Sequence, residues 1–199
     1  MGGTDRLWPE DVKKAMDAQA FDMVLMQLEM PLETIYGTIE LAKERHIPVF
    51  LDAGPAIDIS LERLKGLFII SPNEAETSGL TGICPDTDAN AFKAARLLYE
   101  KTAPTYVILK LGDRGILLYD GKESLRIPCF KVDAVDSTAA GDTFGAALAI
   151  SLCKGRSMMD AIRYAQAAAG ICVSRTGAQS SIPTPEEICR FLDSHPNLN

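Results

Sequence analysis

Two aspartates flank a run of tiny residues in AVDSTAAGDTFGAALAI, residues 134 to 150, and the run continues into an apolar helical pattern. If Ala139, Ala140 and Gly141 form the first turn of that helix together with Asp142, their backbone N–H groups lack intrahelical partners and point outward as a site for an anion. Small side chains let the anion approach. Asp142, held in the positive end of the helix field, stays ionised and can accept a proton from a hydroxyl. An anion hole beside a base is the equipment of phosphoryl transfer. A lone Gly-Asp would read only as a turn and a helix cap, and it is the full string that points further.

Such residues need a scaffold, and strand and helix patterns alternate along the chain at intervals that suit βαβ units. Trp8-Pro9-Glu10-Asp11 starts a helix with Pro at its first position, FDMVLMQL (21–28) reads as a buried strand, and Pro31 opens a helix whose Leu32, Ile35, Tyr36, Ile39 and Ala42 share a face. PVFLD (48–52) and LFIIS (67–71) are short apolar strands, separated by a Gly54-Pro55 turn and a brief helix near Leu61 to Leu64. An amphipathic helix from Asp86 to Thr102, the strand TYVILK (105–110) and a hairpin turned at Asp120-Gly121 follow. The last third is helical over Asp142 to Cys153, Met158 to Ser174 and Pro185 to Ser194. With no internal repeat or low-complexity linker, the pattern predicts a single α/β domain over 1–199, an open, mostly parallel, Rossmann-like sheet flanked by helices. Ligands of such sheets collect at the carboxyl ends of the strands. Gln27-Leu28-Glu29, Asp52, Ser71 to Glu76 and Lys110 to Gly115 are expected there, on one rim.

Composition excludes several function classes. The 199 residues are 47% hydrophobic and 24% charged, which suits a sizeable core, and the net charge of −7 leaves no basic face for nucleic acid. No apolar run approaches the ~20 residues that span a bilayer. The opening MGGTDRLWPE has no apolar targeting segment, and five cysteines without a CxxC pair suit free thiols, small buried hydrophobes, in a reducing cytoplasm. No GxGxxG follows a strand, the P-loop-like run from Gly115 to Lys122 has the wrong spacing, and His46 and His195 are expected at the surface and not around a metal.

DSTAAGDTFGAALA resembles the second signature of the ribokinase (PfkB) family of sugar kinases, and MQLE, SPNEAE, LGDRG and SRTGAQSSIP agree with family segments in the same order along the chain. AAGD and MQLE are more similar to ribokinases than to fructokinases or adenosine kinases, which more often carry GAGD. The resemblance implies ATP-dependent phosphorylation of a sugar hydroxyl, D-ribose to ribose 5-phosphate, with Asp142 as base and the backbone of Ala139, Ala140 and Gly141 as anion hole. It implies that Glu29 and Asp142 contact the sugar and that Asn73 and Glu76 act near the phosphates and their Mg²⁺ through water. Lys110, Leu111, Gly112, Asp113, Arg114 and Gly115 would border the nucleotide, Gly141 would touch its phosphates, and Gln166 would line the adenine pocket. Lys110 departs from the Thr or Ser often found there. Asp136, with oxygens from Thr138, Cys172, Arg175, Gly177 and Ser181, maps onto the K⁺ site of ribokinases, built mostly from backbone carbonyls.

Apart from the family, the same residues read more plainly. Glu29 is a surface carboxylate, Asn73 and Glu76 start a helix, Gln166 is a polar helix position, and 175–181 is a glycine-containing loop. Family members are also about half as long again, and their first third supplies early strands, a small lid sheet and a Gly-Gly sugar motif that Gly2-Gly3, directly before the Trp8-Pro9 helix start, does not replace. The chain therefore reads as the nucleotide and catalytic part of a sugar kinase lacking the N-terminal lid region, with an apolar edge that favours a homodimer or association with an N-terminal segment. A nucleotide-binding or interaction module without efficient catalysis, and a kinase for fructose or 2-keto-3-deoxygluconate, remain as alternatives.

Overall fold

The computed structural model describes residues 6–195; Gly2 and Gly3 lie outside the described residues. The chain divides into two compact units, Met1–Ile127 and Pro128–Asn199.

The first unit holds the sheet. β1 (Val24–Gln27), β2 (Val49–Asp52), β3 (Ile69–Ser71) and β4 (Tyr106–Lys110) run parallel, and β5 (Ile116–Tyr119) and β6 (Ser124–Ile127) add an antiparallel hairpin, in the spatial order β1-β2-β3-β4-β5-β6. α1 (Pro9–Ala18) precedes β1, α2 (Leu32–Glu44), α3 (Glu74–Thr81) and α4 (Asp88–Thr102) lie between the strands, and residues 61–64 form a single 3₁₀ turn. The open, mostly parallel α/β architecture is the one the alternating pattern predicts. Central strands are short and apolar up to their polar last residues, Asp52 and Ser71, because both faces are covered: every residue of β2 and β3 is buried. One face packs Leu51, Ile70, Val107 and Leu109 against Ile35, Ile39 and Ala42 of α2 and Ala91, Ala94, Ala95 and Leu98 of α4. The alanines of α4 let that helix lie close to the strands. Gly37 does the same for α1, since a Cβ there would stand 3.1 Å from the Pro9 ring.

The second unit is helical: α5 (Ala140–Cys153), α6 (Met158–Val173) and α7 (Pro185–Ser194). Phe130, Tyr164, Ala167, Ala168, Ile171 and Ile188 form its core. Ser157 and Thr184 cap α6 and α7 through their hydroxyls, and Glu187 completes a capping box at α7. Burial of the cysteines differs from expectation. Cys84, Cys153 and Cys189 are exposed, Cys129 is half-buried, and Cys172 alone is buried. The exposed three lie on a loop or on outer helix faces, where a small side chain need not pack. His46 and His195 are exposed, as expected. No helix among the described residues is long and apolar enough to cross a membrane.

Candidate functional site

In the first unit, the parallel register brings the polar strand ends into one row. Gln27 pairs with Asp52, Asp52 with Ser71, and a bridge joins Asn73 to Lys110, so the rim expected from the sequence is present. Glu29 follows β1 and is exposed. Asn73 and Glu76 form a reciprocal capping box at the start of α3: the Asn73 Oδ1 accepts from Glu76 N at 2.9 Å, while the Glu76 carboxylate accepts from Asn73 N at 2.7 Å and from its Nδ2 at 2.8 Å. The plain reading of these two as a helix start is thus correct as local structure. Each Glu76 oxygen still has a lone pair beyond its bond to Asn73. A Cβ at Gly54 would run into the Glu76 carboxylate and force it to shift out of that box.

The loop after β4 folds on itself. Leu111 N donates to Gly115 O at 2.8 Å, and Gly112 (φ 57°) and Gly115 (φ 80°) take left-handed backbone that favours glycine. Arg114 braces this loop and does not reach out from it. Its guanidinium donates to Glu74 Oε1 at 2.7 Å, to Asp86 O at 3.0 Å and to Pro85 O. The Lys110 ammonium is ion-paired with Asp52. The polar Asp52 at the end of an apolar strand marks the rim in the sequence, but nothing near it there names Lys110 as its partner.

In the second unit, Asp136 binds two loops together. Its Oδ1 accepts from Thr138 N at 2.9 Å and its Oδ2 from Gly177 N at 3.0 Å. The Thr138 hydroxyl and the N–H groups of Gly177 and Thr138 hold the Asp136 carboxyl at about 2, well below the ordinary carboxylate value. Cys172, buried on α6, donates its thiol to Thr138 O at 3.6 Å and lies 3.1 Å from the Ser181 hydroxyl, and Arg175 N donates to Cys172 O at 3.1 Å. Asp136, Thr138, Cys172, Arg175, Gly177 and Ser181 are therefore brought into one cluster. The Arg175 side chain turns to Glu187, with one N–O distance of 2.5 Å, leaving its backbone in the cluster. That pairing, with the Thr184 N–H, holds the Glu187 carboxyl at about 2. Glu187 was not singled out in the sequence, and only its spacing from Thr184 marks it, as a capping residue.

Directly after Asp136, the chain turns into α5. Ala139 adopts φ 62° and ψ 8°, uncommon for alanine, and its carbonyl accepts the first helical bond, from Thr143 N at 2.9 Å. Gly141 and Asp142 precede that bond, in the first turn, where helical amides lack intrahelical partners, while the Ala140 N–H donates to Ser137 O at 3.2 Å. Asp142 is exposed. Gln166, on α6, is 7% exposed and both polar atoms of its amide lack a hydrogen-bond partner.

Residues 5–185 match the pattern described as pfkB family carbohydrate kinase. The chain belongs to that family. Among relatives in the pfkB family, it is 41% identical to the ribokinase of Haemophilus influenzae over 172 residues, covering 86% of this chain and 56% of that protein. Among solved structures, a Thermotoga maritima ribokinase superposes with a TM-score of 0.83 at 39% identity, over 96% of this chain and 63% of the other. An Arabidopsis thaliana ribokinase complexed with ribose and ATP superposes with a TM-score of 0.86 at 31% identity, over 96% of this chain and 62% of the other. The fold is thus the ribokinase-like one, and the chain spans about three fifths of the length of these pfkB relatives.

Proposed function

We propose that the chain is the nucleotide-binding and catalytic part of an ATP-dependent sugar kinase that converts D-ribose to ribose 5-phosphate. The observation that carries this reading is the opening of α5, where Ala139 takes a left-handed conformation and Gly141 and Asp142 precede the first helical bond. Asp142 is the base for the sugar hydroxyl, and the backbone of 139–141 receives the oxygens of the phosphoryl group in flight, chiefly through the Gly141 amide because the Ala140 N–H already donates to Ser137 O at 3.2 Å. Glu29 hydrogen-bonds the sugar, and the backbone of 110–115 borders the nucleotide, with Gly112 and Gly115 permitting close approach. The unpartnered amide of Gln166 suits the polar edge of adenine. Asn73 and Glu76 suit a Mg²⁺ carried on the phosphates and reached through water, because each Glu76 oxygen already accepts a bond from Asn73. When bound, that ion neutralises phosphate charge. Asp136 and the carbonyls of Thr138, Cys172, Arg175 and Gly177, with Ser181, offer the ionised and hard oxygen donors that K⁺ requires, and a bound K⁺ supplies fixed positive charge to the loop ahead of α5.

The test is ribose-dependent ADP formation by the 199-residue chain and by a version extended with the N-terminal segment its relatives possess. Asp142→Asn keeps the acceptor oxygen and the shape of the turn but removes proton acceptance, so turnover should fall about 10²- to 10⁴-fold while ADP affinity is retained. Turnover like the parent's in the Asp142→Asn variant would end the base assignment. A second reading, a nucleotide-binding module without efficient catalysis, draws support from the 56% coverage of the Haemophilus relative. It predicts ADP binding without turnover in the short chain. Fructose and 2-keto-3-deoxygluconate belong in the same assay, since preference for either would replace ribose.

A further inference from the structure

The carboxyl ends of β2, β3 and β4 carry Asp52, Ser71 and Lys110. Their neighbours Leu51, Ile70 and Leu109 enter the core beneath α2 and α4, so by strand alternation these three polar side chains lie on the opposite face of the sheet. β3 separates β2 from β4, a gap of about 9.5 Å that an extended lysine stem can cross. Lys110 does cross it, to pair with Asp52. The side chains are 16% and 7% exposed, whereas the surface pair Lys13–Asp17 leaves 62% and 48%. An ion pair this covered carries a desolvation cost that a surface pair avoids, so stability alone is weak grounds for keeping it. On the same face, the Ser71 hydroxyl is buried with no hydrogen-bond partner, which leaves an unused polar group at this rim.

We infer that Asp52 is a positioning residue for Lys110: its carboxylate draws the lysine across the end of β3 and fixes the ammonium, so that the remaining N–H donors are held ready for a phosphate oxygen of the nucleotide. This rests on the nucleotide reading of residues 110–115 and adds a residue outside every motif in the sequence. An untethered lysine loses rotamer freedom when it binds a phosphate, and one already held by a carboxylate has lost it beforehand. An ammonium has three donors, enough to serve the carboxylate and a phosphate together. Standing between them, it also shields one anion from the other.

A double-mutant cycle on ADP affinity, measured by calorimetry on the 199-residue chain at fixed salt, tests the inference. Asp52→Asn and Lys110→Met are each expected to weaken ADP binding about tenfold, the loss typical of a hydrogen bond to a charged group. The double variant should bind no more weakly than Lys110→Met, because Asp52 acts through the lysine. Thermal unfolding is the second readout: Lys110→Met takes the counter-charge from a buried carboxylate, and adding Asp52→Asn should restore stability. If Lys110→Met does not fold, the double variant, in which no charge is stranded, supplies the comparison with Asp52→Asn. Additive losses in the cycle, or an Asp52→Asn protein that binds ADP as tightly as the parent while Lys110→Met does not, would overturn the role of Asp52 and leave the nucleotide reading standing. Absence of saturable ADP binding by the folded parent would remove both.

Discussion

Ala139 and Asp136 show how much depends on single residues in the stretch 134–150. An alanine in left-handed backbone costs about 1–2 kcal/mol relative to its ordinary conformations, so the surrounding contacts must hold it there. Asp136, three residues earlier, uses one carboxylate oxygen on Thr138 and the other on Gly177, which makes it the tie between the loop ahead of α5 and the loop after α6. A monovalent cation bound to that cluster would brace the same tie. K⁺ should therefore raise ADP affinity or turnover above the level in Na⁺ at matched ionic strength, and Asp136→Ala should abolish the difference. Cys172→Ser, by contrast, keeps the backbone carbonyls and should preserve the K⁺ response. Identical behaviour of the parent in both salts would argue against the cation cluster.

The helices and loops of the second unit depend on two ionised carboxylates, Asp136 and Glu187, each held at about 2 against ordinary values of 3.8 and 4.5. A carboxyl with a lower pKa in the folded state binds fewer protons there than when unfolded. Its contribution is complete above about pH 4.5 and is lost as pH falls toward 2. The urea midpoint should thus drop between about pH 5 and pH 3, and the drop should be shallower in an Asp136→Asn/Glu187→Gln variant; equal slopes for parent and variant would refute the linkage. Most elements behind this argument were legible because apolar periodicity and Pro or Gly punctuation mark where helices and strands begin and end. The strands at 48–52 and 105–110, the hairpin at Asp120-Gly121 and the helix at 185–194 needed nothing more. What the sequence did not disclose depends on neighbours brought in by the fold. Asp52 has no local signal for a lysine 58 positions away, Arg114 has none for Glu74 and the Pro85 carbonyl that hold it, and Arg175 finds Glu187 only because α7 packs on α6.

Membership of the pfkB family covers nearly the whole chain, yet the chain covers only 56% of the Haemophilus ribokinase, so the boundary of its sheet matters for how it behaves in solution. Among the described residues, β1 has one strand neighbour, β2. Val24 N donates to Pro48 O at 2.9 Å and Leu28 N to Gly54 O at 2.7 Å, both on the β2 side, so alternation turns the Leu25 N–H to the open edge. The Leu25 side chain is 43% exposed, and Phe21 just ahead of the strand is 36% exposed. An edge strand with exposed apolar side chains is a template for another strand, and charged side chains are the usual means of blunting it. The 199-residue chain should therefore self-associate with increasing concentration in sedimentation velocity. Leu25→Lys should shift it toward monomer without lowering its unfolding temperature by much, since the leucine is already exposed. Supplying the N-terminal segment of a ribokinase relative should compete with self-association, because both would use the same edge. A parent that stays monomeric across the micromolar range, with no change on Leu25→Lys, would show that the edge at β1 is closed by other means.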